Sequence, residues 1–386
     1  MKLKLESSRL AKACSLAAKN VPNKTNLPII KTLHVVADND VLHISSTDME
    51  TWVVYDVPAD VYLDDTPSAF CVDAANLTNL LQALPAQPIE IELLEREYST
   101  PKAYYIKIKH SCGLTELPTE LADEFPTLMP IKTEGHSVPA EVLKKSIQTC
   151  RFAMFGDAEM KPQMASLCLH FKGSSMVSVA TDSNMIARLE HPEVEGALCQ
   201  YLLPRKTLGL LLPILDDVLR DKEAMDVVMI RKDNNNVCIQ TDAAVLYFRQ
   251  PELKYPNYDA VIPKKGQAQF EAVINRSDLM AAVSRASLFT DAASMRVACH
   301  FNVDGMLLVR GHCVDFGTSS EEQIKCEFTG SKNFSIGFKA TFLKDVLSHL
   351  SSELVRISMI DATRQVVFTE ENGNPNVLML LMPMFL

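Results

Sequence analysis

The strongest constraint on the fold is that the chain keeps time with itself. S-R-L-A-K-A-C-S-L-A-A-K from Ser8, E-V-L-K-K-S-I-Q-T-C-R-F from Glu141 and S-D-L-M-A-A-V-S-R-A-S-L from Ser277 each carry apolar residues at helical spacing behind an early Leu. Those leucines, Leu10, Leu143 and Leu279, are 133 and 136 residues apart. A second helix pattern recurs on the same period, in V-D-A-A-N-L-T-N-L-L from Val72, L-P-R-K-T-L-G-L-L-L from Leu203 and G-F-K-A-T-F-L-K-D-V-L from Gly337. Leu77, Leu208 and Phe342 align there, and each helix leads into a strand-like run, at 89–93, 225–230 and 354–360. A third marker is an X-Pro step near the end of each unit: Phe125-Pro126, Tyr255-Pro256 and Met382-Pro383. Different markers sharing one period imply a triplicated domain of roughly 130 residues.

Between the helices, 33–38, 41–46, 103–110, 167–171, 237–241 and 244–248 alternate as half-buried strands do. Each unit therefore reads as antiparallel strands with two helices, an α+β domain. Pro-rich connections near 116–131 and 249–267 divide the chain into domains 1–131, 132–267 and 268–386.

Composition narrows the function. The formal net charge of −10 argues against nonspecific DNA binding by the whole surface, while leaving room for a local basic face. Glycine is scarce, and neither G-x-G-x-x-G nor G-x-x-x-x-G-K-[ST] occurs, so a phosphate-cradling loop of those types is not expected. Ten cysteines without a C-x-x-C pair read as reduced thiols in a cytoplasmic protein rather than a zinc site. The start, M-K-L-K-L-E-S-S-R-L, lacks the apolar core of a secretory signal. Paired acids at Asp64-Asp65 and Asp216-Asp217, and the His/Cys neighbours His110 and Cys112, Cys299-His300 and His312-Cys313, read as structural or surface residues. The expectation is no metal, no cofactor, no catalytic residue and no enzymatic activity.

The sequence finishes N-V-L-M-L-L-M-P-M-F-L, ten apolar residues after Asn376. A membrane-spanning helix needs about 20 apolar residues, and Pro383 interrupts this run. The expected structure is a sheet strand over Val377–Leu381 followed by an end that stays accessible.

L-P-I-I (27–30), A-T-D-S-N-M-I-A (180–187), L-P-R-K (203–206), Y-P-N-Y-D-A-V-I-P (255–263), I-G-F (336–338) and the terminal M-P-M-x-L (382–386) resemble the bacterial DNA polymerase III beta subunit, the DNA sliding clamp. The resemblance runs the full chain as three repeats. It implies a ring-shaped homodimer that holds duplex DNA topologically and nonspecifically. It also implies binding of the DNA polymerase III catalytic subunit, the clamp loader and other clamp-motif replication and repair proteins, with no membrane partner. A divergent clamp-fold scaffold, or a second clamp copy with altered partners, is the alternative.

Basic residues on the repeated helices, Lys12, Lys144, Lys145, Arg205 and Lys206, are candidates to attract DNA phosphates, and the resemblance adds Lys24 in the loop before L-P-I-I. It places Leu114, Leu288 and Phe289 in the dimer interface. The partner-peptide groove takes Met164, Thr181, Ser183, Asn184, Met185 and Ile186 from the second repeat. Pro256, Ala260 and Val261 follow from the connection, with Met295, Phe342 and Thr363 from the third repeat. Leu381, Met382, Pro383, Met384, Phe385 and Leu386 complete it. Met-rich walls suit several partners, because the thioether repacks easily. Family members commonly read T-D-G-H-R-L-A and end M-P-M-R-L, so basic side chains give way here to Met185-Ile186 and Phe385. A more apolar groove is expected.

Overall fold

The computed structural model describes residues 1–63, 66–97, 103–221, 225–264 and 266–386. Asp64-Asp65 lies outside them. Six helices carry the repeat: α1 Ser7–Ala18, α2 Ala74–Ala83, α3 Ala140–Cys150, α4 Arg205–Arg220, α5 Arg276–Ser287 and α6 Ala340–Ser348. The first helix of each repeat buries one stripe at the same spacing. It is Leu10, Ala13, Cys14 and Ala17 in α1, Leu143, Ser146, Ile147 and Cys150 in α3, and Leu279, Ala282, Val283 and Ala286 in α5. Apolar residues at i, i+3, i+4 and i+7 form the narrow face that packs on a sheet.

The second helices correct one alignment. Leu77, Leu208 and Leu343 are each the fourth residue of their helix and are buried, whereas Phe342 is only half-buried. One extra residue between repeats moves Leu343, not Phe342, into the core position.

The described chain forms two compact units, Met1–Glu141 with Lys206–Gln250 and Val142–Arg205 with Pro251–Leu386. In the first, thirteen described strands make one antiparallel sheet. Ala244–Arg249 of the second repeat pairs there with Thr51–Pro58 of the first, Leu246 opposite Val53. Glu116 to Glu120, expected in a connection, belongs to the strand Gly113–Glu120.

The second unit repeats this device. Met185–His191 of the second repeat pairs with Val377–Leu381 of the third, Ala187 opposite Met379, within a nine-stranded sheet. A separate four-stranded sheet runs in the order Thr318–Lys325, Met306–Cys313, Arg296–Phe301, Phe334–Lys339. One of its faces is apolar, with Val297, Cys299, Phe301, Leu307 and Val309 buried. Gly311 allows α5 to approach: a Cβ there would meet the Ala286 carbonyl oxygen at 2.0 Å.

All ten cysteines are free thiols and eight are buried. Burial pushes the thiols of Cys14 and Cys299 up to about 12, which keeps them protonated and unreactive at neutral pH.

Candidate partner groove and nucleic-acid face

The expected tail strand forms over Val377–Leu381, between Met185–His191 and Val366–Glu371. It is buried because it has a partner on each side. The chain then leaves that sheet in two steps. Met382 N–H donates to the Asn184 carbonyl at 2.8 Å, and past Pro383 the Met384 N–H donates to the Gly337 carbonyl at 2.8 Å. Gly337 is needed for this crossing: a Cβ would stand 2.7 Å from the Met384 carbonyl oxygen and 3.1 Å from Leu386 Cδ2. The Arg296 guanidinium donates to the Phe385 carbonyl at 2.6 Å. Phe385 is 81% exposed and Leu386 is also exposed.

The T-D motif builds the wall beside Met382. Thr181 Oγ1 donates to the Met185 carbonyl, and Asp182 Oδ1 accepts from the N–H groups of Asn184 and Met185, all at 2.8 Å. This turn holds Ser183 at φ +85°, a left-handed conformation that favours glycine. The first repeat copies it: Asp48 Oδ1 accepts from the Thr51 N–H at 2.7 Å, and Met49 sits at φ +77°. Ser183 Oγ lies 3.9 Å from Met164 Sδ and accepts from Lys161 Nζ at 3.2 Å.

The structure thus gathers Met164, Thr181, Ser183, Asn184, Met185, Leu381 and Met382 around one turn, and Met384 and Leu386 beside Gly337. Met185 and Ile186 are 4% and 5% exposed. Ile186 packs in a core cluster with Cys168, Val179, Tyr255, Tyr258 and Leu380. Met185, which stands where the family motif has Arg, is therefore buried, and Ile186 stands where that motif has Leu, whereas Phe385 faces solvent. Pro256, Ala260 and Val261 follow from Tyr255; Val261 is exposed and its carbonyl accepts from Gln365 Nε2 at 2.7 Å. Met295 is half-exposed at φ +45°, with its carbonyl held by the Ala340 N–H. Thr363 is exposed in the turn that leads into Val366–Glu371, and Phe342 lies under Lys339 Nζ at 4.7 Å. Lys339 itself ends a strand and precedes α6. Arg296 lies outside every sequence motif, and Gly337 carries the I-G-F motif without any sign that it would meet the tail. The only signal for Arg296 was an Arg-x-Ala-x-His alternation on a strand.

The expected DNA-facing residues differ in their surroundings. Lys12 Nζ is 2.7 Å from Asp217, and Lys206 is paired with Asp48. Lys24 is exposed in the loop before L-P-I-I, without an ion pair among the described residues. Lys144 is half-buried and Lys145 exposed on α3, and Arg205 Nη2 donates to the Met154 carbonyl at 3.3 Å. Leu114, Leu288 and Phe289 are exposed apolar residues. Val314 and Phe316, which the repeat pattern did not mark, are exposed as well.

One cluster has the outline of a hydrolase relay. Ser146 Oγ is 2.9 Å from His191 Nε2, and His191 Nδ1 is 3.0 Å from Glu193 Oε1. Ser146 has no solvent exposure, so a substrate cannot reach the hydroxyl. Burial lowers the His191 pKa, and the trio joins helix to sheet. Among the described residues, no three His, Cys, Asp or Glu side chains are grouped to hold a metal ion.

The family model for the DNA polymerase III beta subunit N-terminal domain matches residues 1–129, and that for its C-terminal domain matches 259–385. The chain belongs to the DNA polymerase III beta subunit family. Relatives of this beta-subunit chain include the beta sliding clamp of Bacillus subtilis, 23% identical over 99% of both chains. The beta sliding clamp of Pseudomonas aeruginosa is 24% identical over 100% of both. A solved P. aeruginosa DnaN sliding clamp bound to griselimycin matches the whole fold with a TM-score of 0.88 at 23% identity, each chain covered in full. The Thermotoga maritima DNA polymerase III beta subunit gives 0.86 at 21% identity, covering 100% of this chain and 99% of that one. No helix among the described residues is long and apolar enough to cross a membrane.

Proposed function

We infer that this chain is a DNA sliding clamp, a processivity factor that encircles duplex DNA and tethers a replicative polymerase. Full-length membership of the beta-subunit family carries this reading, supported by the threefold recurrence of one helix stripe. The three repeats act as domains 1–131, 132–267 and 268–386. Two subunits join head to tail into a ring of six such domains, with the exposed Leu114 of one subunit meeting Leu288 and Phe289 of the other. Lys12, Lys24, Lys144, Lys145, Arg205 and Lys206 attract phosphates without reading bases. The tail and the Thr181–Met185 turn form the groove for the polymerase catalytic subunit, the clamp loader and other replication and repair proteins. The protein works in the cytoplasm and tethers enzymes rather than being one. A clamp-fold scaffold that no longer encircles DNA is not favoured.

Loading onto nicked circular DNA tests this function. Protein loaded by its cognate loader should stay with the circle through gel filtration and be lost once the circle is cut. Equal retention on linear DNA, or sequence-dependent binding to a short duplex, would refute the topological mechanism.

A further inference from the structure

We propose that the outer face of the four-stranded sheet, where the tail ends, is a subsite for a carboxylate of an acidic partner peptide. The proposal rests on the groove reading above and adds the chemistry of the partner's flank.

A hollow of about 410 Å³ lies on that face, lined by Arg296, Ala298, His300, Arg310, His312, Ser319 and Leu386. Strand alternation puts these polar residues on the side opposite the buried Val297, Cys299 and Phe301. Register then gathers them, with Ala298 opposite Arg310 and His312 opposite Ser319. The lining holds two guanidiniums and two imidazoles, in a chain whose net charge is −10; Glu321, opposite Arg310 on the same face, offsets one of those charges and leaves a cationic excess. Each arginine is already held at one point. Arg296 Nη1 is on the Phe385 carbonyl at 2.6 Å, and Arg310 Nη2 is 2.5 Å from Glu321. His300 Nδ1 is 2.8 Å from Ser335 Oγ. Side chains fixed in this way lose little freedom on meeting a further anion. A guanidinium has five N–H donors, so each arginine keeps donors beyond its anchor.

Leu386 supplies an apolar wall. The site therefore fits an apolar residue followed by a carboxylate, laid along the tail. The basic side chain absent at Phe385 is replaced by cations from two neighbouring strands.

The test uses the full-length protein and two fluorescein-labelled peptides, Leu-Phe-Glu-Glu and Leu-Phe-Gln-Gln, followed by fluorescence anisotropy. The variants are Arg310→Gln and Arg296→Gln, each checked for an unchanged melting temperature. Arg310→Gln is the cleaner variant, because Arg310 does not hold the tail. The Glu peptide should bind wild type about three- to five-fold tighter than the Gln peptide at low salt, the range of a half-exposed ion pair. Arg310→Gln should erase that preference and leave the Gln peptide's affinity unchanged. Equal binding of both peptides by wild type, or a preference that survives both substitutions, overturns the proposal while leaving the groove in place. Binding of neither peptide would overturn the groove reading itself, and the proposal with it.

Discussion

Three residues carry predictions of their own. Asp217 sits 2.7 Å from Lys12, so a lysine expected to meet phosphate shares its charge with a carboxylate. Asp217→Asn should strengthen DNA binding and steepen its log–log salt dependence by about 0.9, one phosphate contact's worth. An unchanged slope would place Lys12 away from the DNA. Ser183, at φ +85°, holds a conformation that costs a non-glycine residue about 1 kcal/mol or more. Ser183→Gly should raise the melting temperature slightly, and a fall would mean that the Lys161 and Met164 contacts outweigh the strain. His191 is buried with a lowered pKa, and the half-buried His34 and His170 are lowered too, desolvation being the leading cause in each. The unfolded chain takes up protons below a pH of about 6.5 that the folded chain refuses. Stability is thus full above that pH and declines as pH falls through it. Thermal melts from pH 7.5 to 5.5 should show the decline, with a shallower slope in His191→Gln.

At the scale of elements, the tail separates into a strand and an end. Removing Met384 to Leu386 should leave the strand Val377–Leu381 and its two ladders in place, so the melting temperature should hold. Peptide affinity should drop about 30-fold if the end is an anchor wall, since such residues typically carry 2 kcal/mol or more. A large drop in melting temperature with unchanged affinity per folded molecule would make the end plain core. Gly337→Ala is a subtler version: its Cβ would push on the Met384 carbonyl and should displace the end without harming the sheet. The six helices and the terminal strand were legible because their burial is periodic, and three copies reinforced the period. Leu343 was misassigned to its neighbour Phe342 because adjacent large apolar residues satisfy the same pattern until packing chooses between them. Arg296, and the contact that gives Gly337 its role, are illegible because they depend on which strands meet, and pairing between positions 337 and 384 leaves no local trace.

For the molecule as a whole, the test is assembly. Leu288 is 77% exposed in the single chain, and Phe289, Val314 and Phe316 are exposed with it. Apolar exposure of this kind in one repeat marks an interaction surface. Phe289→Asp should convert dimer to monomer in light scattering, since burying an unpaired charge costs on the order of 3 kcal/mol. A wild-type monomer at micromolar concentration would sink the ring. The strand Val377–Leu381 also has a consequence in time. It fills the slot between Met185–His191 and Val366–Glu371, yet it is synthesised long after the first of those. At ribosomal speeds of about 5–20 residues per second, Met185–His191 waits some tens of seconds with a bare edge. A bare strand edge invites pairing with other chains, so the nascent protein is most vulnerable to misassembly in that interval. The proposed groove would share the delay: half of its wall is made early, but the strand that completes it leaves the ribosome last.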